Sequence, residues 1–171
     1  MLKIKKLPAS LYVLYSAVIA LGILADHVSK VLAVKYLLPV SDFPIIRDVF
    51  HLTYVENRGA AFGMMADRRW VFIVFSAVAI LALTAYLYIG GFSDSKLSGF
   101  SVAMIISGGI GNMIERLGRG YVVDFINFEV IDIAVFNLAD SFICVGAGLL
   151  VLALVIEIVK EEKDKKKNAG N

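Results

Sequence analysis

The sequence predicts an all-α membrane protein, four transmembrane helices carrying a small extracytoplasmic strand-and-turn element. Three observations predict it. Of 171 residues, 59% are hydrophobic, and mean hydropathy is +0.79, whereas soluble domains use ~45–50% apolar residues. Four segments approach the ~20 apolar residues that a membrane-crossing helix needs. Lysines gather outside those segments, toward the two ends of the chain.

The first span covers about 11–34 and is interrupted by Asp26, His27 and Lys30. Lys3, Lys5 and Lys6 precede it, as in a secretory signal. Apolar sequence resumes with Val31-Leu-Ala-Val34 and no clear A-x-A site appears, so the span is expected to stay uncleaved. An outer loop follows, about 38–69. In it, His51-Leu-Thr-Tyr-Val-Glu56 is rich in β-formers with partial alternation, and Asn57-Arg-Gly-Ala-Ala-Phe-Gly63 ends the run.

The second span, about 70–89, joins the third, about 97–114, through Gly90-Gly-Phe-Ser-Asp-Ser95. Gly108, Gly109, Gly111 and Asn112 interrupt the third span. The glycines permit close helix approach, and no strand precedes them as a phosphate loop would require. A second outer loop, about 117–135, has room for a short strand over Tyr121–Phe128. The fourth span, about 136–159, leads into a Lys-rich tail, about 160–171. The length suits one membrane-embedded domain over 1–171.

Four spans place both termini on one side. Lys3, Lys5 and Lys6 with Lys160, Lys163 and Lys165–Lys167 make that side the cytoplasm. Arg47, Arg58, Arg68 and Arg69 in the outer loop weaken this bias without reversing it. A formal net charge of +2 gives no reason to expect nucleic acid. The single cysteine, Cys144, rules out an intramolecular disulfide and reads as a small buried side chain. Two histidines do not suggest a His-rich metal site.

The topology brings two acids to one level. Asp124 follows the outward-running third span, and Asp140 falls in the first turns of the inward-running fourth. Carboxylates beside hydrocarbon are costly. Two that converge resist double ionisation, so one proton can be shared between them. That state activates water against a peptide bond. The plainer alternative is a solvated loop acid at Asp124 and a helix-start charge at Asp140.

Asn112 and Arg116 share a helix face, as do Asn137 and Asp140. The amides could orient the carboxylates, and Arg116 could bind an anion or a carbonyl, against ordinary capping and snorkelling. Asn57 and the small residues from Gly59 onward could admit and hydrogen-bond a substrate backbone, or form an ordinary turn. Asp26 and Lys30, spaced i, i+4, suit an intrahelical ion pair that keeps Asp26 ionised.

Five strings in this order resemble a known family: Asp26-His-Val-Ser-Lys30, Asn57-Arg-Gly-Ala-Ala-Phe-Gly63, Gly108-Gly-Ile-Gly-Asn-Met-Ile-Glu-Arg116, Val122-Val-Asp-Phe-Ile126 and Phe136-Asn-Leu-Ala-Asp-Ser141. They are similar to the bacterial lipoprotein signal peptidases, or signal peptidase II. The resemblance implies a four-helix membrane protease with a small extracytoplasmic β-cradle. It implies cleavage of diacylglyceryl-modified prolipoproteins just before the lipidated cysteine. By position, Asp124 and Asp140 match the catalytic pair. Asn57, Gly59, Asn112, Arg116 and Asn137 match the surrounding site, and Asp26 and Lys30 match the span-one motif. Glu115 departs from the family's usual aspartate.

The expected protein is thus an aspartyl endopeptidase of the bacterial plasma membrane, with its active site at the outer leaflet. It is expected to be a monomer with lipidated prolipoprotein and membrane lipid as partners, needing no metal or cofactor. A proton- or ion-coupled transporter would instead spread its acids through the membrane depth and favour inverted repeats. A structural scaffold would leave the polar cluster without work to do.

Overall fold

The computed structural model describes residues 7–59, 68–91, 95–131 and 133–169. Lys3, Lys5 and Lys6, the run 60–63, and 92–94 of the connection between the second and third spans lie outside the described residues. Those described form four helices, α1 (Ala9–Tyr36), α2 (Arg69–Tyr88), α3 (Lys96–Gly118) and α4 (Leu138–Ala169), and three strands, β1 (Asp42–Ile46), β2 (Phe50–Asn57) and β3 (Val122–Phe128). Each helix is long and apolar enough to cross a membrane.

α3 is the central helix. Of its apolar stretch 56% is buried, against 11% for α2 and α4, and it packs against all three other helices. It can do so because its packing surface is small. A side chain at Gly108 would collide with the Ala139 carbonyl of α4, and one at Gly111 with the Asp26 carboxylate of α1. Helices in lipid associate by close contact of this kind rather than by hydrophobic exclusion. The outward surfaces are correspondingly greasy: Phe75 is 73% exposed, Leu81 69% and Val13 69%.

The three strands form one antiparallel sheet in the order β1-β2-β3 at the end of the bundle where α1 leaves and α4 begins. Val55 pairs with Asp124 and Asn57 with Val122. Val123 packs with Ala33 of α1 and with Leu37 just past its end, which seats the sheet on the helices. An isolated bridge pairs Ile126 with Phe136 and brings the chain back beside β3 before α4 starts.

Three expectations change. The segment Asp42–Ile46, expected as loop, is an edge strand. All five of its residues are exposed and it contains Pro44, so it has neither the alternation nor the composition that marks a strand. α3 runs to Gly118, one turn beyond the expected end, while the short strand expected over Tyr121–Phe128 is present as β3 and carries Asp124. α4 continues through the Lys-rich tail to Ala169. That tail is built of strong helix formers, with Glu161–Lys165 and Glu162–Lys166 at the i, i+4 spacing that supports a solvated helix.

Candidate active site

The start of α4 organises the site. Asn137 precedes the helix, and its Oδ1 accepts from the Asp140 backbone N–H at 3.0 Å. Asp140 reciprocates, its Oδ2 accepting from the Asn137 backbone N–H at 3.2 Å. This mutual cap satisfies two amides that a helix start leaves open. A further one, Ala139 N–H, donates to Asp26 Oδ1 of α1 at 2.9 Å.

The Asn137 amide then reaches away from the helix. Its Nδ2 donates to Asp124 Oδ1 at 2.6 Å and to Asn112 Oδ1 at 3.1 Å. On the other side of Asp124, Oδ2 accepts from Asn57 Nδ2 at 2.8 Å. Asn57 Oδ1 accepts from the Gly59 backbone N–H at 3.0 Å, which folds the chain back at the end of β2. Each oxygen of Asp124 is therefore met by one carboxamide.

Asn112 links this group to the buried charges. Lys30 Nζ donates to Asn112 Oδ1 at 2.8 Å and to Asp26 Oδ2 at 2.9 Å. Because an ammonium can only donate, the oxygen of Asn112 must face Lys30. Its Nδ2 then points to Asp140 Oδ1, at 2.8 Å. Asp26 and Lys30 are each 1% exposed. The expected ion pair is present, and it does more than close on itself, since one partner caps α4 and the other fixes the amide that holds Asp140.

Glu115, whose role the sequence left open, is 6% exposed. Its Oε2 accepts from the Val123 backbone N–H at 2.8 Å and lies 3.7 Å from Lys30 Nζ, while Oε1 is 3.6 Å from Arg119 Nε. It fastens the residue next to Asp124 onto α3. The extra methylene relative to aspartate supplies reach.

Asp124 and Asp140 line one cavity of about 640 Å³ together with Asn57, Arg116, Phe72 and Cys144. Its remaining wall, from Ile133 to Phe136 and at Ser141, is mainly apolar. Arg116 sits over the Phe72 ring at 5.2 Å and donates to the Gly59 carbonyl at 3.3 Å. Burial pushes the Asp124 carboxyl up to about 6, and the charge of Asp140 adds to the rise. Hydrogen bonds from Asn57 and Asn137 and the Lys30 charge oppose it. The cavity therefore holds two carboxyls, one of which retains its proton at unusually high pH, next to a guanidinium and apolar walls. That set can bind an extended apolar segment and exchange protons with it.

Cys144, expected to be buried, is exposed and faces this cavity. An apolar neighbourhood on a membrane span can be lipid as readily as core. The part played by Phe72 carried no sequence signal, since it is one more aromatic in an apolar run.

Residues 18–156 match the family described as Signal peptidase (SPase) II. The chain belongs to the signal peptidase II family. It is 46% identical over 140 residues to the lipoprotein signal peptidase of Caldanaerobacter subterraneus subsp. tengcongensis, covering 82% of this chain and 94% of that protein. The corresponding protein of Halothermothrix orenii is 45% identical over 137 residues, covering 80% and 92%.

Two solved structures of a bacterial membrane enzyme, each obtained by the in meso method, share the fold. One has a TM-score of 0.79 at 24% identity and covers 90% of this chain and 93% of its own. The other has a TM-score of 0.76 at 25% identity, covering 88% and 96%. The sequence thus places this chain in a protease family, and its fold is shared with solved bacterial membrane enzymes. All five strings that resemble signal peptidase II contribute to the network just described, through Asp26 and Lys30, Asn57 and Gly59, Asn112 and Arg116, Asp124, and Asn137 and Asp140.

Proposed function

We propose that this protein removes the signal peptide from diacylglyceryl-modified prolipoproteins, cutting before the lipidated cysteine, with Asp124 and Asp140 as its catalytic pair. The observation that carries the proposal is that both carboxyls open into one apolar-walled cavity while a single residue, Asn137, holds each of them. The relatives named lipoprotein signal peptidase support the choice of substrate.

In the proposed reaction the carboxylate of the pair takes a proton from a water, and the water oxygen attacks the scissile carbonyl carbon. The partner, still protonated, gives its hydrogen to the carbonyl oxygen. The resulting diol collapses as the C–N bond breaks and the leaving amine takes up a proton from the pair. Asn57, Asn112 and Asn137 orient the two carboxyls. Arg116 and the edge at Gly59 bind the substrate backbone, and the Asp26–Lys30 pair holds the start of α4 in place. The substrate's acyl chains lie among the helices, so the bilayer presents the bond at the depth of the pair.

In this reading the chain is a monomer in the bacterial plasma membrane. Both termini are cytoplasmic and the sheet end lies at the outer leaflet. Lys-rich sequence at the end of α4, away from the sheet, supports that orientation. The deciding experiment assays Asp124→Asn and Asp140→Asn separately for prolipoprotein cleavage in membranes. Each is expected to lose about 10²–10⁴ of the rate, as general acid–base groups do. Near-normal turnover by either protein would remove that residue from the pair.

A further inference from the structure

A second cavity, of about 310 Å³, lies at the sheet end of the bundle and is lined by Arg58, Arg69, Trp70, Arg119 and Gly120. Three arginines line it, and among the described residues that lining contains no carboxylate. Arg58 is bound to Glu56 through Nη2 at 3.1 Å, and Arg119 approaches Glu115 through Nε at 3.6 Å. Each contact engages one nitrogen of a group that offers five N–H donors. Arg69 stacks over Trp70 at 5.2 Å and lies across Gly120, where an added side-chain carbon would sit 2.9 Å from its Nη1.

Two helix ends meet at the cleft. Arg69 and Trp70 open α2, whose first amides make no side-chain cap bond with Arg68, and the start of a helix carries partial positive charge. Arg119 and Gly120 follow the last turn of α3, whose partial negative charge offsets that of the α2 start. Both helices are candidate membrane spans, so the cleft sits where span gives way to surface, the level at which tryptophan settles among lipid headgroups.

We propose that this cleft binds the phosphate of an anionic phospholipid headgroup from the leaflet on the sheet side. Glu56 and Glu115 offset part of the charge of Arg58 and Arg119, while Arg69 has no carboxylate partner among the described residues, so an anion entering the cleft meets a net positive field. A phosphodiester meets their forked donors two at a time. A zwitterionic lipid offers the same phosphate but brings its ammonium group toward the same cations, which sets the preference for a net-negative headgroup.

Trp70 is the only tryptophan in the chain, so its fluorescence reports on the cleft. The full chain in non-ionic detergent is titrated with brominated phosphatidylglycerol or brominated phosphatidylcholine at matched ionic strength. The anionic lipid is expected to half-quench Trp70 at a concentration roughly tenfold lower. An R69Q/R119Q double variant is expected to erase the difference, whereas R47Q, at the turn between β1 and β2, keeps it. Equal quenching by the two lipids in the native protein overturns the proposal whatever the variants do. A preference that survives R69Q/R119Q, or that R47Q abolishes equally, also overturns it. Sodium phosphate substituted for chloride is expected to leave the preference intact. If it removes the preference, the cleft takes a free oxyanion and the lipid assignment fails.

Discussion

Asn137 donates a 2.6 Å hydrogen bond to Asp124 from the side chain that caps the helix carrying Asp140. One amide thus does two separable jobs. Asn137→Ala removes both and should cost about 1 kcal/mol for the cap plus about 1–3 kcal/mol for buried partners left unpaired. Asn137→Ser keeps a capping oxygen but cannot span to Asp124. It should recover the cap contribution in unfolding measurements yet turn over as slowly as the alanine variant, about 10²-fold below native for a mispositioned pair. Recovery of stability and turnover together would show that the amide only caps.

The raised pKa of Asp124 makes stability depend on pH. The folded protein holds this proton up to about pH 6, while the unfolded chain releases it near the ordinary 3.8. Between those values the folded state binds more protons than the unfolded one. The stabilising contribution is therefore complete below about pH 4 and is lost as pH rises through 6. Two pKa units correspond to roughly 3 kcal/mol. Asp124→Asn should flatten this part of the stability profile. Cleavage by the native protein should decline above about pH 6, when the pair loses its shared proton. A rate that keeps rising to pH 8 would count against proton sharing.

The Asp26–Lys30 pair is buried at 1% exposure on each side. Lys30→Met leaves an uncompensated carboxylate and takes away one of the two donors to the amide oxygen of Asn112, so a loss of about 3–5 kcal/mol is expected. Adding Asp26→Asn keeps an acceptor for the Ala139 amide while removing the buried charge. The double variant should be more stable than Lys30→Met alone in a denaturant titration. If it is not, the pair is not coupled as its geometry indicates.

Glu115 offers a cleaner separation of charge from hydrogen bonding. Glu115→Gln retains an oxygen for the Val123 N–H and should cost about 1 kcal/mol. Glu115→Ala leaves that amide buried without a partner and should cost about 1–3 kcal/mol. The alanine variant should also lower kcat, because β3 carries Asp124 in the position after Val123. Single-turnover cleavage alongside thermal unfolding would test both statements.

Much of this was legible in the sequence for reasons that can be named. Spans announce themselves by apolar length, and two consecutive antiparallel spans bring Asp124 and Asp140 toward the same end. β1 was not legible, because an exposed edge strand with a proline has no buried face to impose a pattern. Nor could spacing reveal that Lys30 reaches Asn112, 82 positions away in the chain. That contact depends on how closely α1 and α3 approach, which the glycines hinted at without fixing. The exposure of Cys144 was misjudged because composition does not distinguish lipid from core.

The bond from the Ala139 amide to Asp26 joins positions 113 residues apart, the first helix to the last. During synthesis, the earlier segments reach the bilayer before the partner that completes their polar cluster exists. A nascent chain paused ahead of α4 therefore has Asp124 without Asn137 or Asp140. With the pair proposed above, cleavage awaits synthesis of the start of α4, and a chain terminated ahead of it is expected to be inert.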